Sequence, residues 1–319
     1  MSKITYDFEQ PITDVEVEIA LLESKAMATG TDLTSEIGKL KEKRDKVIRD
    51  VHSKLNRWQR VLLARHPDRP YTLDYIEMIC DNFIELHGDR QYGDDAAMVT
   101  GMAEIDGHNM MIIGHQKGRG TRDNIKRNFG MSNPEGYRKA LRVMKLGEKF
   151  KIPILSLVDT PGAFPGLGAE ERGQAEAIAK NLLEMSKLKV PILVIIIGEG
   201  ASGGALGIGI GDRILMMQNT WYSVISPEGC ASILYRDSSK AAEAAEALKL
   251  TPDDLLEIGI IDGIITEPNG GAHRDKESAA DSLKESILTN IRELQNLPSN
   301  ILIENRVNKY STMGAWIEN

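Results

Sequence analysis

Cysteine is scarce in this sequence. The two present, Cys80 and Cys230, stand far apart with no C-x-x-C pair, which excludes a disulfide framework and a zinc ribbon. Both read as small core residues in a reducing cytoplasm. Long apolar runs are missing too: none nears the ~20 residues needed to span a bilayer, so no membrane-spanning helix is expected. The opening MSKITYDFEQ lacks a charged stretch followed by an apolar core, and no export signal is read there. Positive charge is not in excess. The net charge of -8 argues against general nucleic-acid binding, although charge can be reversed locally. What remains is a soluble, cytoplasmic globule of enzyme size, since 319 residues can bury about three quarters of the unfolded chain's surface.

The richest stretch is 190–211, VPILVIIIGEGASGGALGIGIG. Residues 190–197 form an unbroken, β-branched apolar run, the pattern of a strand buried on both faces of a parallel sheet. Seven glycines follow, from Gly198 to Gly211, and a helix is predicted to start near Ser202. Free N–H groups at such a junction suit a negative oxygen. Three motifs overlap here. Gly198 to Gly203 fits the dinucleotide fingerprint G-x-G-x-x-G, and Gly200 to Gly204 fits the nucleophile elbow G-x-S-x-G. The third reading is an oxyanion hole made of the Gly203 and Gly204 amides, with no side-chain nucleophile. A glycine-rich helix start that only permits close packing is the non-functional alternative.

Along the chain, residues 12–63 carry apolar side chains three or four apart among many charges, as in amphipathic helices broken near Gly30 and Thr31. They read either as a helical hairpin covering its own core or as a partner-docking arm. His66-Pro67-Asp68-Arg69-Pro70 is a stiff connector, and a boundary is placed there, giving an extension over 1–66 and a main domain over 67–319. A helix is expected over 72–86. Residues 99–105 and 109–114, joined by Asp106-Gly107, predict a hairpin. The basic stretch 117–145 divides into a glycine-punctuated loop and a helix from Pro134. Lys117 and Arg119 fall at a strand end, where open α/β sheets bind ligands, so an anion such as phosphate is expected there.

A buried strand over 154–159 leads into TPGAFPGLGAEERG, a shaped loop with Gly162, Ala163, Gly166 and Gly168, and then a helix over 169–188. This strand–loop–helix unit repeats at once in 191–211, so two glycine-rich loops at one sheet edge build a pocket from two walls. Strands over 214–217, 221–226 and 260–266, and helices over 227–234, 239–249, 252–258 and 276–297, complete the α/β pattern. The segment beyond Pro298 is polar and partly helical.

The dinucleotide reading requires an acidic residue about 20 positions beyond the glycines, where this sequence has Met-Gln-Asn-Thr-Trp over 217–221. For the hydrolase, Ser202, Asp262 and His273 come in the right order, but His273 lies in the loop GGAHRD and no glycine-rich oxyanion segment precedes the serine.

GHQKGR (114–119), NFGMSNPEGYRKALR (128–142), DTPGAFPGLGAEERGQAEAIAKNL (159–182), IGEGASGGALGIGIGD (197–212), YSVISPEGCASILYRD (222–237) and PNGGAHRD (268–275) occur in order. With DFEQPI and ARHPDRPYTLDY toward the amino end, they span nearly the whole chain. This set resembles the alpha-type carboxyltransferase subunits of bacterial acetyl-CoA carboxylases. The resemblance implies a crotonase-like α/β superhelix of β-β-α units with an N-terminal helical extension. It implies transfer of a carboxyl group from carboxybiotin, held on a biotin carboxyl carrier protein, to acetyl-CoA. The product is malonyl-CoA, the first intermediate of fatty acid synthesis. ATP would be used by a separate biotin carboxylase, in keeping with the lack of a G-x-x-x-x-G-K-[ST] loop in this chain.

The same resemblance implies a zinc-binding beta subunit as partner, an alpha2-beta2 hetero-oligomer, and no metal in this chain. It assigns to Gly203 and Gly204 the hole for the ureido oxygen of biotin, and to the beta subunit the hole for the thioester. Gly162, Ala163, Gly166 and Gly168 would line the substrate site, and Lys117 and Arg119 would meet CoA phosphates or the carrier. Biotin enolate is expected to take the methyl proton itself, with Glu170 and Glu171 serving a helix N-terminus. A non-catalytic acyl-CoA-binding scaffold is the alternative from a different class.

Overall fold

The computed structural model describes residues 5–314. Two helices open it, α1 (Gln10–Thr29) and α2 (Thr34–His52), turned back on each other at Gly30, whose φ of 69° is the left-handed helix ending that glycine adopts without strain. The region forms a helical hairpin in which α1 buries Ile12, Val15 and Ile19, and α2 buries Ile48, while Val17, Leu21 and Met27 stay exposed. Helix α3 (Arg57–Ala64), capped reciprocally by Asn56 and Gln59, leads into the connector.

Helix α4 (Thr72–Ile79) stops earlier than its apolar spacing predicts. Residues 82–85 are instead a strand, β1 (Asn82–Glu85), paired with β2 (Met98–Ile105) so that Phe83 lies opposite Ala103. Gly101 explains the difference. It leaves room for the Phe83 ring, since a Cβ there would stand 2.4 Å from the ring edge. The hairpin of β2 with β3 (His108–His115) forms around Asp106 and Gly107, both at positive φ, as a two-residue turn requires.

Beyond β3 the expected loop contains a short helix, α5 (Gly120–Lys126), and then α6 (Pro134–Phe150) begins on proline as predicted. Strand β4 (Ile154–Thr160) is followed by α7 (Leu167–Glu171) and α8 (Gln174–Met185). The single helix expected there is divided by Gly173, at φ 83°. Strand β5 (Ile192–Ala201), α9 (Ser202–Leu206), β6 (Arg213–Met217) and β7 (Trp221–Ser223) come next. After them run α10 (Pro227–Tyr235), α11 (Ala241–Leu248), α12 (Pro252–Glu257), β8 (Gly263–Ile265), α13 (Lys276–Gln295) and α14 (Ser299–Ser311). Strand β8 is shorter than its apolar run because Ile260 and Ile261 donate to the Leu255 carbonyl and close α12 instead.

The sheet runs β1-β2-β3-β4-β5-β6-β8, with β7 on the far end of β5. Pairing is antiparallel through β3 and parallel beyond it. Alternation along β5 divides the interior. Leu193, Ile195 and Ile197 face a core built with Tyr75, Ile76, Leu283 and Ile287 of α4 and α13. Ile192, Val194 and Ile196 face one built with Tyr137, Met144, Ala177 and Met185 of α6 and α8. Helices thus cover both faces of the central strands.

Polar side chains pin this interior. Arg69, in the expected boundary segment, is fully buried; it donates to the Ile197 carbonyl (2.7 Å) and to both oxygens of Glu267 (2.6 and 3.1 Å). The connector therefore runs through the core. Arg306 of α14 is equally buried, bonded to Asp212 and to the carbonyls of Met185, Leu188 and Val190. The N-terminal hairpin is held at Glu9, whose carboxylate meets Arg274 (3.2 Å), His273 (3.5 Å) and, more distantly, His52 (3.9 Å). His273 in turn stacks on His66 at 4.1 Å between ring centres.

Two predictions follow from these pins. Removing one partner of a buried ion pair leaves an uncompensated charge, so Arg306→Ala should cost about 3–5 kcal/mol in denaturant unfolding. The second concerns pH. Burial depresses His52 to about 4, so below its ordinary value near 6.5 the unfolded chain takes up a proton that the folded chain refuses, and docking weakens as pH falls from 6.5 to 4. Burial pushes Glu9 up, but His273 and Arg274 outweigh it and hold its carboxyl at about 2, which extends the loss below the usual carboxylate range. Limited proteolysis at the α1–α2 turn should accelerate across this window, and His52→Phe should flatten its upper part.

Candidate functional site

The site arises from a mismatch between β4 and β5. The two strands pair in step up to Val158 opposite Ile196, and then Thr160 stands opposite Gly200. Two steps on β4 therefore answer four on β5, and the extra residues bow outward as a bulge. The Asp159 carboxylate fills the gap and accepts from the Glu199 amide at 2.9 Å. Only glycine fits beside it, since a Cβ on Gly198 would lie 2.3 Å from Asp159 Oδ1. Thr160 then shapes the next turn: its hydroxyl lies 2.7 Å from both the Gly130 and Gly162 carbonyls and accepts from the Gly162 amide.

At the end of β5 the chain turns sharply through Ser202, at φ 58°, into α9. Gly203 and Gly204 are the second and third residues of that helix. Their N–H groups have no partner within it, and Ala201 at the cap position offers no side-chain acceptor. Gly204 also sets the spacing of the two loops, because a Cβ there would stand 2.4 Å from the Gly162 carbonyl carbon and 2.5 Å from the Ala163 nitrogen. Tyr137, fully buried on α6, donates its hydroxyl to the Gly204 carbonyl at 3.3 Å. Asn181 of α8 bonds the Tyr137 and Gly207 carbonyls and ties α9 to the helices behind it. On the opposite loop Gly166 lies under the Phe164 ring, and Gly168 approaches the Arg172 guanidinium. The glycine loops of the two strand–loop–helix units thus meet backbone to backbone.

Charge lies directly beneath. Lys117 Nζ is 2.6 Å from Asp159 Oδ1 and 2.7 Å from Glu199 Oε2. The other Glu199 oxygen receives Arg65 at 2.6 Å, and Arg65 continues to Glu228 on α10. Burial opposes the Lys117 charge, but the two carboxylates outweigh it and raise its pKa. Burial raises Asp159, with Lys117 only partly offsetting it, whereas Lys117 and Arg65 together bring Glu199 below its ordinary value.

Lys117 was expected to meet an external anion; its ammonium is instead engaged inside the protein. Arg119 is engaged likewise, by Asp74 and by the carbonyls of Pro67 and Arg69. Most of the basic stretch shares this fate: Lys139 pairs with Asp94, Arg138 with Asp89, and Arg127 with Asp123. The residues proposed for a hydrolase are not brought together. His273 faces Glu9, while Asp262 accepts from the Ile214 amide and Lys309. Ser202 is exposed, as are Glu170 and Glu171. Tyr137, Asp159 and Glu199 were missed as site-forming residues. A carboxylate at the end of an otherwise apolar strand was the available signal for both acids, because burying an unpaired charge is costly.

Over residues 5–314 the chain matches the family model described as acetyl co-enzyme A carboxylase carboxyltransferase-like. It is 53% identical to the acetyl-coenzyme A carboxylase carboxyl transferase subunit alpha of Chlorobium luteolum, over 99% of this chain and 98% of that one. The proteins of the same name from Geobacter metallireducens and Coxiella burnetii are 54% and 55% identical, covering 99% and 97% of this chain and 99% and 98% of theirs. Among solved structures, the transcarboxylase 12S core aligns over 68% of this chain and 42% of its own, with 21% identity and a TM-score of 0.53. A Pseudomonas malonate decarboxylase hetero-tetramer chain aligns over 70% and 89%, with 15% identity and a TM-score of 0.55. These likenesses carry the fold, and the full-length relatives carry the family: this chain belongs to the acetyl-CoA carboxylase carboxyltransferases, as an alpha subunit of that biotin-dependent enzyme.

Proposed function

We propose that Gly203 and Gly204 form the oxyanion hole for the ureido oxygen of biotin in the transfer of a carboxyl group from carboxybiotin to acetyl-CoA. The observation that carries this reading is the Gly203–Gly204 amide pair in the first turn of α9, which no capping side chain covers among the described residues, set against the Gly162–Ala163 backbone. Loss of carbon dioxide from carboxybiotin leaves negative charge on that oxygen, and the charge is transient. Donors fixed in advance by Tyr137, Asn181 and Thr160 therefore lower the transition state more than the ground state. In this reading Gly162, Ala163, Gly166 and Gly168 would line the substrate site beside them. No side chain among them is a base, and we assign the methyl proton of acetyl-CoA to the biotin enolate itself.

The reading requires a second subunit, since charge also develops on the thioester oxygen and the Gly203–Gly204 pair is assigned to the ureido oxygen. A zinc-binding beta subunit in an alpha2-beta2 assembly fits that need, with the biotin carboxyl carrier protein delivering the donor and ATP spent in a separate biotin carboxylase. Leu167 on the first glycine-loop unit, Val224 after β7, and Ile233 and Leu234 on α10 are well exposed and apolar, side chains suited to a protein partner. Residues 67 onward form the catalytic body in this reading, residues 1–66 its extension, and the setting is the cytoplasm.

Decarboxylation of malonyl-CoA with biocytin, run with and without the beta subunit, tests the proposal; the chain alone should be inactive. Ser202→Ala should keep kcat within about threefold, because no hydroxyl takes part. Gly204→Ala should reduce kcat by roughly a hundredfold or more, the scale of one lost oxyanion donor, since its methyl group forces the loops apart. A folded but inactive Ser202→Ala would return the serine to a nucleophilic role.

A further inference from the structure

Resting on that reading of the glycine site, we infer that Lys117 is a positioning residue for carboxyl transfer: its buried ammonium clamps the base of one glycine loop to the base of the other. Asp159 immediately precedes Thr160-Pro161-Gly162-Ala163, and Glu199 stands shortly before Gly203-Gly204. Lys117 Nζ contacts one carboxylate oxygen of each, at 2.6 and 2.7 Å. No other side chain spans the β4–β5 mismatch by binding both of these carboxylates among the described residues. The lysine stem is seated as well, against Gly130, where a Cβ would approach its Cγ to 2.8 Å. Gly130 also gives its carbonyl to Thr160, so the stem and the first loop share a support.

The two acids do not depend on Lys117 equally. Glu199 has a second cation, Arg65. Asp159 has none in contact: its Oδ1 is held by Lys117 and the Glu199 amide, and its Oδ2 is buried without a hydrogen-bond partner. Without the lysine, Asp159 is a buried charge facing a second carboxylate, and the cheapest relief is to swing away or take up a proton. Either response moves the Asp159–Glu199 contact that fixes the two loops, and with it the Gly204 to Gly162 spacing. A lysine that bound substrate phosphates would behave differently, because its loss would weaken substrate binding and would not depend on Asp159.

Lys117→Met, Asp159→Asn and the double variant, each assembled with the beta subunit, separate these cases in the biocytin assay. Lys117→Met should lower kcat by thirtyfold or more while the KM for malonyl-CoA stays within threefold. Asp159→Asn removes the stranded charge and keeps an acceptor for the Glu199 amide, so the double variant should regain at least tenfold in kcat over Lys117→Met. The two sites then act as one unit. A raised KM without rescue would assign Lys117 to the substrate and overturn the inference, as would Lys117→Met with kcat within threefold of the parent. Should Lys117→Met fail to fold, the double variant decides by the same split: a double variant that folds with kcat within tenfold of Asp159→Asn and a KM for malonyl-CoA within threefold of the parent supports the inference, while one with a KM raised beyond threefold, or with kcat more than tenfold below Asp159→Asn, overturns it. Gly204→Ala run in parallel isolates the underlying reading, since full activity there would remove the oxyanion hole whatever Lys117 shows.

Discussion

Much of this molecule depends on the step out of register between β4 and β5. A parallel pair with even spacing has no reason to part its ends, and a helix following each strand would pack closely on the sheet. Here the extra residues on β5 interrupt the ladder, and the gap admits the Asp159 carboxylate in place of backbone. Filling the gap with a charge commits the protein to a cation in the same place, and that cation reaches across from the end of β3. The glycines follow from the same constraint: Gly198 has to be bare for the carboxylate to fit, and Gly204 has to be bare for the two loops to touch.

The buried ions elsewhere serve the same geometry. Arg69 enters from the connector and binds the Ile197 carbonyl, at the start of the bulge, while Glu267 collects the Arg69 guanidinium together with the amides of Asn219 and Ala272. The acid is thereby satisfied from several directions, which is the condition under which a buried charge is tolerated. Arg306 does for the other end of β5 what Arg69 does for this one, bonding Asp212, whose carboxylate also receives the Ile192 amide. Strand β5 is thus fixed at its start and again at the bulge by arginines that arrive from outside the central sheet. Its two apolar faces are fixed by packing alone.

The parts governed by periodicity and turn chemistry were legible in the sequence. The unbroken apolar run of β5, the Asp106-Gly107 hairpin and the proline start of α6 each carry a local signal strong enough to stand alone. Residues 82–85 were not legible as a strand, because Phe83 continues the helical spacing of Leu73, Ile76 and Ile79 and only the bare Gly101 across the sheet decides the matter. The roles of Lys117 and Arg119 were hidden for a related reason. A basic residue at a strand end looks the same in sequence whether its partner is a ligand or an acid forty residues later. The pairing of Lys117 with Asp159 is a property of the fold. The glycines of the site were visible as a cluster, whereas Tyr137, which orients one of them, was visible only as a core residue.

In the proposed reading the site is built from backbone donors, and its demands fall away from the donors themselves. Any residue with an N–H can occupy an oxyanion position in principle, so chemical identity at Gly203 and Gly204 matters less than the absence of a side chain and the angle of the peptide. Around those peptides the backbone is tied by buried side chains on three different elements: Tyr137 on α6 bonds the Gly204 carbonyl, Asn181 on α8 the Gly207 carbonyl, and Thr160 at the end of β4 the facing Gly162 loop. Beside them an ion cluster on Glu199 reaches through Arg65, at the end of α3, to Glu228 on α10. Helix α10 is also where exposed apolar side chains gather. In the proposed assembly, a beta subunit that covered α10 would bear on the chain of ion pairs that runs from Glu228 through Arg65 to Glu199, on the strand that leads into Gly203 and Gly204.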